Sequence, residues 1–157
     1  MQLIDFSDYD FTLGTAESLT GGAVAKAISS VPGSSRYFIG GIVAYATVVK
    51  ESVLNVPKTV IAESGVVSCE VAEAMAKGCL KVLNVDFAIS TTGIAGPAGG
   101  TEKTPIGTVC IAVAGKDFCH SWQEHFEGDR GEVVEASVEK GLEYLNISLK
   151  TFATRVV

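Results

Sequence analysis

The chain has 157 residues, a formal net charge of −6, and 47% hydrophobic against 19% charged residues. That is enough apolar material for one sizeable core, and an acidic balance with no Lys/Arg stripe excludes nucleic-acid binding through phosphates. The mean hydropathy of +0.34 argues for a sheet buried under helices, yet no run reaches the roughly 20 apolar residues of a membrane span.

Residues 1–10 read as an irregular or lightly packed lead-in. Met1-Gln2-Leu3-Ile4-Asp5-Phe6 lacks the basic stretch and apolar run of a signal peptide. Phe11-Thr12-Leu13-Gly14-Thr15-Ala16 is an apolar strand pattern, and residues 20–30 place Ala23, Val24, Ala27 and Ile28 at helical spacing. Pro32-Gly33-Ser34-Ser35 breaks that helix. Phe38 to Ala46 is β-rich, with Gly40-Gly41 inviting a bulge or a close approach. Thr47 to Leu54 forms a short helix stopped by Pro57.

Ser68 has the character of an N-cap, and the helix after it presents Val71, Met75, Gly78, Cys79 and Val82 along one face. Asp86 to Thr92 reads as a buried strand. Ile106 to Ala114 is another, and Phe118 to Phe126 a third and more exposed one, joined to it across Gly115-Lys116-Asp117 as a hairpin. Asp129 and Glu132 have capping-box spacing at the head of a last helix to about Leu149, with Val134, Val138, Leu142 and Leu145 facing the core. The order is β-α-β, a short helix, then α-β-β-β-α. It predicts an α/β fold, a three-layer α/β/α sandwich around a mixed, mostly parallel sheet of about five strands. We expect one domain over 1–157, with a lead-in over 1–11 and a core over 12–149.

Cys69, Cys79, Cys110 and Cys119 lack a Cys-x-x-Cys spacing, and Cys79 and Cys110 sit in apolar runs as small core residues. Free thiols fit a cytoplasmic setting. His120 and His125 flank Trp122 near an outer strand without a carboxylate-rich context, so neither is assigned a metal or a catalytic role.

Three segments carry candidate chemistry. In Glu17-Ser18-Leu19-Thr20-Gly21-Gly22 a hydroxyl stands at a strand-to-helix junction, where it suits attack on a ligand or capping of a helix. In Tyr45-Ala46-Thr47-Val48-Val49-Lys50 the lysine serves as a base if burial lowers its pKa, as a phosphate partner if it stays charged, or simply as a solvated side chain. Tyr45 suits a hydrogen bond to ligand or lysine, or an ordinary buried tyrosine. Thr91-Thr92-Gly93-Ile94-Ala95-Gly96-Pro97-Ala98-Gly99-Gly100 follows a buried strand directly. Its N–H groups suit a phosphate or an oxyanion, although its glycine spacing matches neither the P-loop nor the dinucleotide fingerprint, and a plain surface crossover is the alternative. Arg130 stands at a helix start, where its charge opposes the dipole; a ligand anion or a surface ion pair would account for it.

These segments together resemble the C-terminal domain family of the competence/damage-inducible protein CinA, which includes nicotinamide-mononucleotide amidohydrolases. The resemblance is carried by Ala16-Glu17-Ser18-Leu19-Thr20-Gly21-Gly22, Val31-Pro32-Gly33-Ser34-Ser35, Gly41-Ile42-Val43-Ala44-Tyr45 and Gly65-Val66-Val67-Ser68. It continues in Thr92-Gly93-Ile94-Ala95-Gly96-Pro97, Pro105-Ile106-Gly107-Thr108-Val109 and Gly128-Asp129-Arg130. It implies hydrolysis of the mononucleotide carboxamide to nicotinate mononucleotide and ammonia, without metal or cofactor, by a small-molecule enzyme that forms a homo-oligomer, a dimer.

By motif the resemblance makes Ser18 the nucleophile and Lys50 the general base, with Tyr45 assisting. Thr20, Gly21, Gly22, Thr47, Thr92, Gly93, Ile94, Ala95, Gly96 and Arg130 would bind substrate. Leu19 stands where the family usually has cysteine, Thr47 where it has asparagine, Ala98 where it has aspartate, Thr104 where it has lysine, and Val134 where it often has arginine. These departures keep two alternatives open, a nucleotide-binding or regulatory domain without turnover and a structural interaction module. Longer members carry an N-terminal domain associated with ADP-ribose pyrophosphatase chemistry, which the residues here do not include.

Overall fold

Leu13–Glu17 is buried at all five positions and Thr108–Gly115 at all eight, the signature of strands covered on both faces. The computed structural model describes residues 4–155. In chain order the elements are β1 (Tyr9–Asp10), β2 (Leu13–Glu17), α1 (Ala23–Ser29), a 3-10 turn (Ser34–Arg36), β3 (Phe38–Val43), α2 (Thr47–Ser52) and α3 (Lys58–Ser64). There follow α4 (Cys69–Leu83), β4 (Phe87–Gly93), β5 (Thr108–Gly115), β6 (Phe118–His125), α5 (Arg130–Phe152) and β7 (Thr154–Arg155).

The main sheet has five strands in the order β3-β2-β4-β5-β6. Strand β2 lies between β3 and β4, parallel to both, while β5 runs antiparallel between β4 and β6. The expected α/β/α sandwich and mixed sheet are therefore present. The Phe118–Phe126 hairpin partner forms as read, with Gly115 opposite Phe118.

The two faces are packed differently. On one, Leu13, Ile89, Ile111 and Val113 meet Val24 and Ile28 of α1 and Val138, Leu142 and Leu145 of α5. On the other, Ala16, Ala88, Cys110, Ala112 and Ala114 meet Ala72, Met75, Ala76 and Cys79 of α4. Small residues on that second face let α4 lie close: a Cβ on Gly14 would sit 2.8 Å from the Leu83 side chain. Of the bulge or close approach expected at Gly40-Gly41, the close approach is found at Gly41, where a Cβ would sit 2.3 Å from the Thr15 hydroxyl, and the bulge falls one residue earlier. Phe38 pairs with Leu13 and Gly40 with Gly14, so Ile39 is the extra residue.

Several expectations are corrected. The lead-in is core: Phe6, Tyr9 and Phe11 are buried, and Phe6 and Phe11 pack on Tyr37. An aromatic cluster anchors what composition alone marks as loose. Residues 1–3 of that lead-in lie outside the described residues. Strand β1 pairs with β7, a ribbon the alternation pattern is too short to reveal. Helix α3 was missed because Pro57 reads as a stop; it is instead the N-cap from which a new helix starts. Val82 is 44% exposed, one turn past the face that α4 buries. Val134 packs against the core half-buried, beside the fully covered Val133, and α5 continues to Phe152, which stacks on Phe118. The Asp129/Glu132 capping box is formed.

Candidate active site

Three parallel strands release their chains at the same edge of the sheet. Ser18 follows β2, Ala44 and Tyr45 follow β3, and Gly93 closes β4. Carboxyl ends of parallel strands are where open α/β sheets gather ligand-binding loops. Ser18 is tied there by its backbone N–H, which donates to Thr91 O at 2.9 Å. Ser18 does not cap the next helix. That task falls to Glu17, whose carboxylate accepts from Val24 N at 2.8 Å and Ala25 N at 3.0 Å in the first turn of α1. Side chains alternate across β2, so Glu17 points toward α1 and leaves Ser18 on the opposite face.

On that opposite face lies Lys50, from α2. It is 1% exposed. Its Nζ donates to Ala44 O at 2.7 Å and Tyr45 O at 3.0 Å, and stands 2.8 Å from Ser18 Oγ. Burial pushes the Lys50 pKa down from 10.5 to about 8. The neutral form fits the geometry as well as the charged one. Two N–H bonds go to the two carbonyls, and the remaining lone pair faces the serine hydroxyl. When the lysine is charged it donates all three bonds, and the Ser18 hydroxyl turns to Tyr45 O at 3.4 Å.

Across the cavity Arg130 uses its fork twice. Nη1 donates to Gly96 O at 2.8 Å and Nη2 donates to Tyr45 OH at 2.8 Å. One side chain from the head of α5 thus joins the glycine-rich loop to the segment that anchors Lys50. Arg130 makes no ion pair among the described residues. The loop is fixed at its root by Ile94 N to Thr108 O at 2.9 Å and Gly107 N to Ile94 O at 2.8 Å. Thr92 donates to Val66 O at 2.9 Å, joining β4 to the chain before α4.

These groups enclose a cavity of about 580 Å³. Of the residues singled out from sequence, Ser18, Tyr45, Thr47, Lys50, Thr92, Gly93, Ile94, Ala95, Gly96 and Arg130 line it. Thr20, Gly21 and Gly22 do not. Gly21 and Gly22 shape the turn with φ of 57° and 103°. The Thr20 hydroxyl is buried against Glu17 Oε1 at 2.6 Å and Thr91 Oγ1 at 2.7 Å. Sequence reasoning missed one wall, Glu63 to Val67, contributed by α3 and the turn after it. Its signal was the Gly65-Val66-Val67-Ser68 motif, which carried resemblance but no role.

A three-layer α/β/α domain with a buried Ser–Lys pair beside a glycine-rich loop is the class these observations define. The chain belongs to the CinA C-terminal domain family, whose profile matches residues 4–149. A CinA-like protein of Geotalea uraniireducens is 50% identical over 128 residues, covering 82% of this chain and 30% of that protein. Another, of Geobacter sulfurreducens, is 43% identical over 146 residues, covering 93% of this chain and 35% of that protein. The chain thus spans about a third of the length of these curated relatives. Among solved structures, the competence damage-inducible protein A of Klebsiella pneumoniae superposes with a TM-score of 0.87 at 32% identity, over 90% of this chain and 88% of that one. The competence/damage inducible protein CihA of Agrobacterium tumefaciens gives 0.85 at 34% identity, over 89% and 86%. No helix among the described residues is long and apolar enough to cross a membrane.

Proposed function

We propose that this chain is an amidohydrolase that converts nicotinamide mononucleotide to nicotinate mononucleotide and ammonia by a Ser/Lys mechanism. The observation that carries this reading is the 2.8 Å approach of a buried Lys50 amine to the Ser18 hydroxyl inside a cavity of nucleotide size. Neutral Lys50 takes the Ser18 proton as Oγ attacks the carboxamide carbon. The lysine, now charged, delivers that proton to the departing amine, and ammonia leaves an acyl-serine. Water, deprotonated by Lys50, then attacks the ester and Ser18 leaves with the proton returned to it.

The oxyanion would be met by a backbone N–H close to the nucleophile. Those of Ser18 and Ile94 are already committed to carbonyls, which favours Leu19, the residue after the nucleophile. Arg130, with the Thr92–Gly100 loop, would hold the phosphate end, and Tyr45 would keep Arg130 and the lysine anchor in one frame. The same reading takes the 157 residues as one domain of a cytoplasmic homodimer. Exposed Ile39, Val43 and Val48 supply apolar surface for the dimer. The chemistry calls on neither metal nor cofactor.

The test is ammonia release from nicotinamide mononucleotide by the purified chain, beside Ser18→Ala and Lys50→Ala. Turnover by the native chain, lost in both variants, is expected. Mononucleotide binding in calorimetry without ammonia release would replace this reading with a binding-only domain.

A further inference from the structure

Glu17 is 1% exposed, carries a carboxylate and has no cationic partner among the described residues. A buried acid is costly unless donors surround it. Here three do: the Thr20 hydroxyl at 2.6 Å, Val24 N at 2.8 Å and Ala25 N at 3.0 Å. Thr20 has a single hydroxyl proton and spends it on Glu17, so the contact between Thr20 and Thr91 at 2.7 Å runs with Thr91 as donor. Thr91 also accepts the Ser18 N–H through its carbonyl. One residue of β4 therefore grips the turn on both sides of Leu19, at Ser18 and at Thr20. Between these grips and α1 lie Gly21 and Gly22, both with positive φ, which by themselves leave the turn soft.

We propose that Glu17, Thr20 and Thr91 form a clamp of positioning residues that fixes the Ser18 turn from the face of β2 opposite the cavity. The proposal rests on Ser18 being the nucleophile and assigns Thr20 to positioning instead of substrate contact. The clamp sets where Oγ stands relative to Nζ of Lys50. A displacement of about 1 Å at a reacting atom costs on the order of 100-fold in rate.

The experiment is the rate at which a fluorophosphonate probe modifies Ser18, read by mass spectrometry in the native chain and in Thr20→Val, Thr20→Ser and Glu17→Gln. In that reaction the Ser18 Oγ–P bond forms, the P–F bond breaks, fluoride leaves, and the serine proton passes to Lys50. Thr20→Val preserves shape and removes the hydroxyl. Glu17→Gln puts an amide N–H against Ala25 N–H or Thr20. Modification slowed 10- to 100-fold in both, with Thr20→Ser within threefold of native, is the expected result. On nicotinamide mononucleotide Thr20→Val and Glu17→Gln should lose kcat with KM within threefold. Should Thr20→Val fail to fold by circular dichroism, Thr91→Val removes only the outer hydroxyl and should slow modification at least threefold.

Folded Thr20→Val and Glu17→Gln modified at the native rate would overturn the clamp. A native chain modified at Ser18 but releasing no ammonia would sink the substrate reading alone, since the modification rates still decide the clamp. A native chain not modified at Ser18 at all would overturn the clamp too, because no poised nucleophile would exist for it to hold.

Discussion

Lys50 Nζ lies 2.8 Å from Ser18 Oγ although 32 residues separate them in the chain. The contact is built from both ends. Strand β2 delivers Ser18 to the edge of the sheet, and the Ala44 and Tyr45 carbonyls at the exit of the neighbouring parallel strand hold the lysine amine. Removing either side chain should leave the fold and erase the pair. Ser18→Ala should lose essentially all turnover. Lys50→Met, which keeps the apolar stem, should lose about 100-fold or more, as expected for a general base. Both are measured as ammonia release from protein whose unfolding curve remains cooperative.

The pH dependence follows from the lysine. With its pKa lowered to about 8, the neutral base is the minor form at pH 7, so kcat/KM should climb about tenfold per pH unit below 8 and level off above it. A profile flat between pH 6.5 and 8.5 would remove Lys50 from the base role.

Stability should depend on the same proton. Between about 8 and 10.5 the unfolded chain keeps a proton that the folded one has released, so stability rises with pH across that window, by up to roughly 3 kcal/mol. Burial raises the Cys79 and Cys110 thiols to about 12, which lowers stability as pH rises above the ordinary thiol range. The Lys50 contribution is therefore read as the difference between the native chain and Lys50→Met in urea melts from pH 7 to 10.5, where the native chain should gain on the variant.

Gly78 transmits α4 packing to the site. A Cβ there would sit 2.0 Å from Leu54 O, in the segment just after α2. Gly78→Ala must push α4 off that backbone, which should cost about 3 kcal/mol in a denaturant melt. It should also slow turnover, because α2 carries Lys50.

Arg130→Lys tests the fork. A lysine is a single point of charge and does not bridge Gly96 O and Tyr45 OH together. KM for the mononucleotide should rise about tenfold, and more in Arg130→Ala, with a smaller effect on kcat. An unchanged KM in both would take the arginine out of substrate binding.

Much of the architecture was legible because it rests on local rules. The Ser68 cap, the Asp129/Glu132 capping box and the Gly115-Lys116-Asp117 hairpin are short-range features, and each forms as expected. Where two rules competed, sequence misled. Pro57 reads equally as the stop of one helix or the start of another; α2 already ends at Ser52, Pro57 caps α3, and Val60 and Ile61 pack that helix against the α4 side of the core. The lead-in reads as lightly packed because its aromatic residues find partners in Tyr37 and Phe87, far along the chain.

The sequence alone determined the family motifs, the α/β order and the residue types available for chemistry. Tertiary structure decided which way each side chain faces. Ser18 and Glu17 are neighbours, yet the strand's alternation sends one into the cavity with Lys50 and the other to the head of α1. Thr20 sits inside the same motif and is drawn to the Glu17 side, because the turn returns it to Thr91 on β4. Motif spacing carries identity along the chain. The face a residue takes depends on strand pairing and on which buried polar groups must find partners, and those partners are fixed only when the distant strands meet.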